Sequence, residues 1–454
     1  MTALGAAGTI VASVIVGRGP DQASFCVPLR GCLYEWTDTA TLIGVTVAGA
    51  TLMVAMLCGP ELRARELPAG ELGFLLACSM TGGVVLGASQ DLITLIIALE
   101  TLTLPLYALV ALRRGSVRSA EAGVTFFTVS VVSTAVTLLG AALLYASTGT
   151  VILNDMSSAL VGRAGLPSVP LVSVAVVLVL VGLAFKVAAV PFHAWAPATY
   201  DGAPLPVAAY LSTASKLGGV IALLYVAVRA GGPLLDVAGP ALAAIAVATM
   251  TVGNLVALRQ RRMVRLLAWS SVAQAGYILA PLGALALADG RTMAAMRVAV
   301  TAVLAYAVFY VILELVAFGA VIALRGADDG GELGDYRGAG RRRPWVSIAF
   351  VVALAGLAGL PPGLAGLFAK VTVVKALREG SAGWLAIVVA INAVIGLAYY
   401  VRAAAGLYQP DVESAGDRWP RLHWAVALAL LAVTVAGVVV GFAPQLVLDA
   451  AGAL

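Results

Sequence analysis

Apolar stretches long enough to cross a bilayer follow one another along the whole chain, separated by short polar connections. A helix rising 1.5 Å per residue needs about 20 apolar residues to cover ~30 Å of hydrocarbon. Thirteen such segments are read, at roughly 2–17, 38–58, 72–88, 90–112, 120–146, 168–200, 203–229, 236–258, 263–285, 293–324, 344–377, 383–408 and 421–447. The connections leave no room for a soluble domain, so the fold expected is an all-α polytopic membrane protein built as one helical bundle. The first segment is short and rich in glycine and alanine. With no positive stretch ahead of it, it is read as a membrane helix rather than a cleaved leader.

Two segments depart from the pattern. Segment 168–200 carries Pro191 and Pro197, and segment 344–377 carries Pro361-Pro362-Gly363 near its middle. Proline removes a backbone donor and clashes with the preceding turn, so both helices are predicted to break. Unwound backbone at membrane depth is tolerated only against protein or a water-filled cavity. Paired interrupted helices in two halves of a chain point to inverted repeats with an ion path between them. The expected organisation is therefore a set of N-terminal helices over 1–71, a first repeat over 72–229, a second, inverted repeat over 230–408, and a C-terminal helix within 409–454.

Composition agrees, with 61% hydrophobic and only 11% charged residues, against about 25% charged in a soluble domain. A net charge of +5 and a pI near 9.1 would suit a nucleic-acid binder, but the arginines are distributed as topology signals instead. Sixteen Lys/Arg side chains fall in connections after even-numbered segments and seven after odd-numbered ones. The count includes Arg30, Arg163 and Arg418. It places the even connections in the cytoplasm and the C-terminus outside. Cys26 and Cys32 then share an outside loop, either as a disulfide or as two free thiols. Cys58 and Cys78 are read as packing residues.

The lysines behave differently from the arginines. All four, Lys186, Lys216, Lys370 and Lys375, lie inside apolar segments. A charge at bilayer depth costs about 2.5–3.5 kcal/mol on insertion scales and marks ion or proton pathways. Lysine also loses its proton readily when desolvated, whereas arginine does not. Glu100 in A-L-E-T-L-T-L-P needs a buried partner, and these lysines are the natural candidates. Lys186 lies just before Pro191. Lys216 follows Ser212 and Thr213, which puts a polar stripe on the inward face of its helix. Lys370 lies beyond the second break, and Lys375 is close enough to a segment end to snorkel. His193, in P-F-H-A-W, is a proton relay or a hydrogen-bonded structural histidine. His423 is interfacial, and Glu314 is a buried carboxylate that no pattern explains. No cysteine cluster, G-x-G-x-x-G turn or histidine pair is placed to hold iron–sulfur, nucleotide or haem. The chemistry expected is proton or cation movement along buried titratable groups.

The chain resembles subunit N of the bacterial NADH:quinone oxidoreductases (respiratory complex I), an antiporter-like membrane-subunit family. The resemblance runs from about Gly70 to the last segment. It is carried by A-L-E-T-L-T-L-P-L-Y-A-L-V-A-L-R-R (98–114), F-K-V-A-A-V-P-F-H-A-W-A-P-A-T-Y-D-G-A-P-L-P-V (185–207), S-T-A-S-K (212–216), V-G-N-L-V-A-L-R-Q (252–260), R-L-L-A-W-S-S-V-A-Q-A-G-Y (265–277) and L-A-G-L-P-P-G-L-A-G-L-F-A-K (357–370). It implies an antiporter-like bundle of 13–14 helices and a proton-translocating role. Glu100 and Lys186 would be a half-channel pair, Lys216 a central lysine and Lys370 a terminal one, with His193 and Glu314 as further candidates. Quinone and NADH would be used elsewhere in the complex, with no cofactor in this chain. The implied partners are the other membrane-arm subunits and the bilayer, and no nucleic acid; the implied location is the bacterial cell membrane. A subunit of a multi-component Na+/H+ antiporter, or a non-conducting assembly subunit, is the alternative. Three departures stand out. Thr125 occupies a position usually lysine, Glu314 one usually neutral and polar, and one N-terminal helix of the family's fourteen is not found.

Overall fold

The computed structural model describes residues 1–28, 31–161, 169–230, 235–410 and 421–452; Arg30, Arg163 and Arg418 lie outside them. Its main elements are α1 (Thr2–Gly17), a hairpin of β1 (Gln22–Val27) and β2 (Gly31–Trp36), α2 (Asp38–Leu57), α3 (Ala69–Gly87), α4 (Leu92–Val110), α5 (Val117–Thr148), α6 (Val169–Lys186), α7 (Trp195–Gly202), α8 (Leu205–Arg229), α9 (Leu235–Ala257), α10 (Met263–Gly283), α11 (Met293–Arg325), α12 (Pro344–Ala358), α13 (Leu364–Glu379), α14 (Gly383–Gly406) and α15 (Trp424–Phe442). Among the described residues nine helices are long and apolar enough to cross a membrane. Counting the interrupted pairs α6/α7 and α12/α13 as one segment each, the helices follow the thirteen apolar stretches in order. The first stretch is a packed helix: Gly17 of α1 abuts Thr41, and Ser13 fits against Gly44 of α2.

The two predicted breaks are both present. After Lys186 the chain leaves helical geometry, with Ala188 at φ +59° and a cis Val190–Pro191 bond, and resumes at Trp195. After Ala358 it turns through Gly359 at φ +85° and a cis Pro361–Pro362 bond, and resumes at Leu364. Glycine is required at the second break by close approach. A Cβ on Gly366 would lie 1.7 Å from the Gly356 carbonyl oxygen, so the two half-helices meet backbone to backbone.

Backbone groups freed by the breaks are taken up by side chains, as a membrane interior demands. The Val190 N–H donates to Thr249 Oγ1 at 3.0 Å and Trp195 Nε1 donates to the Phe185 carbonyl at 3.1 Å. At the second break the Leu357 carbonyl accepts from Gln274 Nε2 at 2.9 Å and from Lys370 Nζ at 2.8 Å.

The connections sort onto two ends as the alternation of segments requires. At one end Arg118, Asp201, Arg262 and Asp329, all from connections after even-numbered segments, form an ion-pair cluster: Arg118 to Asp201 at 2.6 Å and to Asp329 at 3.1 Å, Arg262 to Asp201 at 2.8 Å and to Asp329 at 2.9 Å. Burial opposes ionisation of Asp329, but the Gly331 N–H and the two arginines prevail and bring its pKa down to about 2. At the other end the odd connections meet. The hairpin pairs Tyr34 with Ser89, Asp91 pairs with Ile152, Arg229 donates to Ser89 and Gln90, and Arg291 bonds Asp236. Cys26 and Cys32 are disulfide-bonded across the β1–β2 hairpin.

The innermost helices are α8, α10 and α11, buried on nearly all sides, while α5, α14 and α15 present most of their surface outward.

Candidate functional site

Lys186 is the last residue of α6, and the break that follows frees its side chain to reach α4 and α5. Its Nζ lies 2.8 Å from Glu100 Oε1, with the lysine side chain 4% and the glutamate 19% exposed. Three hydroxyls complete the shell. Thr134 donates to Glu100 Oε1 at 2.8 Å, and Lys186 donates to Ser130 Oγ at 3.0 Å and to Thr103 Oγ1 at 3.3 Å. Tyr107 extends the chain by donating to Ser130 at 2.6 Å. Each charge thus has a counter-charge and further hydrogen bonds, the condition for ionised groups to survive in low dielectric. A pair held this way can pass a proton between lysine and carboxylate with little movement of heavy atoms.

Lys216 sits at the centre of the bundle on α8, directly after a π-helical turn, Leu211–Ser215. Such turns shift the helix face by one residue and recur at functional sites. The polar stripe is therefore divided. Thr213 bonds back to the Ala209 carbonyl at 2.6 Å, while Ser212 points to Glu314 Oε1 at 2.8 Å. Lys216 donates to the Ser271 carbonyl at 2.7 Å and to the Ser271 hydroxyl.

From Ser271 a buried polar chain continues along α10 to the second break. Its neighbour Ser270 bonds the Tyr400 hydroxyl, which accepts from Gln274 at 3.0 Å. Gln274 accepts from Tyr306 at 2.7 Å and donates to the Leu357 carbonyl that Lys370 also engages. The Lys370 ammonium lies 5.2 Å from the Tyr277 ring centre, a cation–π contact. Tyr277 in turn accepts from Asn254 at 2.9 Å. Groups that carry or accept exchangeable protons thus line the way from Lys216 to Lys370, with the step from Ser271 to its neighbour Ser270 made along the helix rather than by a hydrogen bond. Between Lys186 and Lys216 the connection is steric: a Cβ on Gly219, three residues after Lys216, would lie 3.0 Å from Lys186.

The other candidates are placed apart. His193 packs on Trp269, with ring centres 5.1 Å apart, and its Nδ1 is buried without a hydrogen-bond partner. Thr125 lies on the exposed outer face of α5, away from the Glu100–Lys186 pair. Lys375 is exposed, and His423 caps the first turn of α15 by accepting from the Ala425 N–H at 3.2 Å.

Sequence reasoning missed Ser130, Thr134, Ser271, Gln274, Tyr306 and Tyr400. A signal was present for some of them. Ser270, Ser271, Gln274 and Tyr277 recur at helical spacing inside an apolar segment, and Ser130 and Thr134 stand one turn apart.

The family described as "NADH:quinone oxidoreductase/Mrp antiporter, TM" matches residues 89–396. The NADH-quinone oxidoreductase subunit N of Salinispora tropica is 59% identical, over 99% of this chain and 92% of its own length. The subunit N 2 of Streptomyces griseus is 43% identical, over 99% of this chain and 86% of its own. Among solved structures, a chain of the respiratory complex I of Thermus thermophilus superposes with a TM-score of 0.79 at 29% identity, covering 99% of this chain and 92% of that one. A chain of the Mrp complex of Dietzia shares the fold, with a TM-score of 0.82 at 22% identity over 100% of this chain and 90% of its own.

Proposed function

The chain belongs to the NADH:quinone oxidoreductase/Mrp antiporter family of membrane subunits, on its subunit N branch, and we propose that protons cross it along the line Glu100, Lys186, Lys216 and Lys370. It is a multi-pass, proton-translocating subunit of a bacterial respiratory complex, and its partners are the other subunits of that complex and the surrounding lipid. Residues 72–229 and 230–408 supply one half of the path each, with one interrupted helix in each half. NADH oxidation and quinone reduction take place elsewhere in the complex and supply the driving force.

The observation that carries this reading is the Glu100–Lys186 ion pair, set at a helix break inside the membrane and surrounded by hydroxyls. An ion pair kept only for stability would be replaceable by apolar side chains, often with a gain. In the paired state the proton is on Lys186. Pulling the pair apart leaves each charge poorly compensated, which favours release of the ammonium proton toward the centre. Lys216 receives it there, and the Ser270–Tyr400–Gln274 chain leads on to Lys370. The even-numbered connections, which hold most of the arginines, face the cytoplasm, and the C-terminus faces outside.

The test uses the assembled complex in sealed vesicles, with proton uptake measured per NADH oxidised. Glu100→Gln and Lys186→Met are expected to lower that ratio or to slow both reactions together. Normal ratio and turnover in both variants would rule the path out and favour an assembly role. Sodium–proton exchange by vesicles lacking the dehydrogenase would favour an antiporter subunit instead.

A further inference from the structure

Among the buried carboxylates that the path leaves unused, one lies in the middle of a membrane helix. Glu314 lies midway along α11, fully buried. Its Oε1 accepts from Ser212 Oγ at 2.8 Å, and its Oε2 has no hydrogen-bond partner. A carboxylate with one oxygen unsatisfied, far from water, carries a desolvation cost that a purely structural residue has no reason to keep.

Its surroundings supply a connected set of hydroxyls. Tyr310, one turn earlier on α11, donates to the Ser212 carbonyl at 2.9 Å, and its oxygen is 3.3 Å from Ser212 Oγ. Tyr310 and Tyr200 both face Ser271, and Ser271 binds the Lys216 ammonium. The order of atoms is therefore Lys216 Nζ, Ser271 Oγ, Tyr310 Oη, Ser212 Oγ, Glu314 Oε1, with Ser271 and Tyr310 facing one another and the other neighbours within hydrogen-bond distance. No direct ion pair shorter than 4 Å joins Lys216 and Glu314 among the described residues, so the two charges meet only through hydroxyl groups. The titratable groups facing Glu314 are Lys216 of α8, Tyr200 of α7, Tyr310 of its own helix and Tyr400 of α14.

We propose that Glu314 is the carboxylate partner of Lys216, sharing one proton with it through Ser271, Tyr310 and Ser212, so that the centre of the bundle holds a second acid–base pair. In the transfer, Lys216 gives a proton to the Ser271 hydroxyl. The hydroxyl protons of Ser271, Tyr310 and Ser212 each move one place, and Ser212 protonates Glu314. Ammonium becomes amine and carboxylate becomes carboxylic acid, so the cluster is neutral overall before and after. The proton delivered by Ser212 arrives on Oε1, and the unpartnered Oε2 becomes the carbonyl oxygen of the acid, which needs a donor less strongly than a carboxylate does. The centre can then hold a proton on Glu314 while Lys216 is empty, ready to accept the next one from Lys186 without two positive charges meeting. The π turn before Lys216 is what makes this possible, because it directs Ser212 toward Glu314 rather than along the lysine's face.

This inference rests on the proton path proposed above, and its test is arranged so that the two fail separately. Glu314→Gln keeps the shape and can still accept from Ser212, but cannot take a proton. In the assembled complex in sealed vesicles, E314Q is expected to lower NADH-driven proton uptake by about tenfold, a modest part of what a positioned acid–base group contributes. E314Q should also remove a carboxyl C=O band from the redox-induced infrared difference spectrum, a change that a structural role would not produce. Glu314→Asp should retain the band and part of the uptake, with a shifted pH profile. If E314Q does not assemble, E314D decides: a shifted profile supports the pair and an unchanged one overturns it. Normal uptake and an unchanged band in E314Q overturn the inference while Glu100→Gln, run in parallel, still loses uptake. Normal uptake in both variants overturns the path itself.

Discussion

Lys370 donates a 2.8 Å hydrogen bond to the carbonyl of Leu357, across the break that separates the two halves of its own membrane segment. The lysine thereby satisfies a backbone group that the proline pair has freed, and the same group accepts from Gln274. Anchoring the ammonium to a neutral carbonyl rather than to a carboxylate leaves the proton on Lys370 easier to release than one held in an ion pair. Lys370→Met should therefore leave the complex assembled, because Gln274 still serves the carbonyl, while proton uptake falls by about tenfold or more. Assembly is checked by co-purification of the neighbouring subunits.

Gln274 is expected to behave in the opposite way. It bridges Tyr400, Tyr306 and the Leu357 carbonyl. Gln274→Leu strands several buried polar groups, at about 1–3 kcal/mol each. The expected outcome is a lower melting temperature of the purified complex, together with slower pumping. An unchanged melting temperature would show that water replaces the amide there.

Breaking the first pair should cost more than dissolving it. Lys186→Met leaves Glu100 without its counter-ion, and a broken buried pair costs about 3–5 kcal/mol; the 19% exposure of Glu100 puts the effect at the low end. The double variant Glu100→Gln/Lys186→Met removes both charges and should recover much of that stability without recovering pumping. Thermal unfolding of the assembled complex reads the first effect and vesicle acidification the second.

The ion-pair cluster of Arg118, Asp201, Arg262 and Asp329 ties the first half of the bundle to the second at one end. Asp329 has a folded pKa of about 2 against an ordinary 3.8. Because the folded value is the lower one, its stabilisation is fully present above the ordinary value and fades as pH falls from about 4 toward about 2. Asp329→Asn should thus destabilise the protein slightly at neutral pH, with the gap from wild type closing in acid. The Asp329 side chain is 40% exposed, so solvent screening keeps the effect small. Melting curves over that pH range decide it, and a gap that widens in acid would contradict the assignment.

Sidedness can be read from the β1–β2 hairpin. Cys26 and Cys32 are bonded there, and the free cysteines are Cys58, which is buried, and Cys78, which is partly so. A membrane-impermeant thiol reagent applied to intact cells should label the chain only after reduction. Labelling confined to inside-out vesicles would reverse the orientation proposed for the connections and the C-terminus.

Much of this arrangement was legible in the amino-acid sequence. The apolar segments, both breaks and the sorting of connections onto two ends follow from hydropathy, proline and arginine alone. That Glu100 needs a buried lysine partner followed from the cost of a lone charge in a bilayer, and the family resemblance implied that the partner is Lys186. Three things were hidden. Apolar composition does not separate the central α11 from the peripheral α15, since lipid and protein interior select the same side chains. The π turn before Lys216 leaves no mark in the sequence, so Ser212 and Thr213 were read as one stripe when they diverge. Hydroxyl and amide residues such as Ser130 and Gln274 carry no charge, so their helical spacing inside apolar segments was too weak a signal to single them out.

If a proton crosses the middle of the bundle on Lys216, removing that amine must interrupt pumping. In sealed vesicles containing the assembled complex, proton uptake per NADH oxidised is compared between wild type and Lys216→Met, after co-purification has verified assembly. Uptake is expected to be lost, or uptake and NADH oxidation to slow together by about tenfold or more. Wild-type uptake per NADH at wild-type turnover in that variant would contradict a crossing on Lys216.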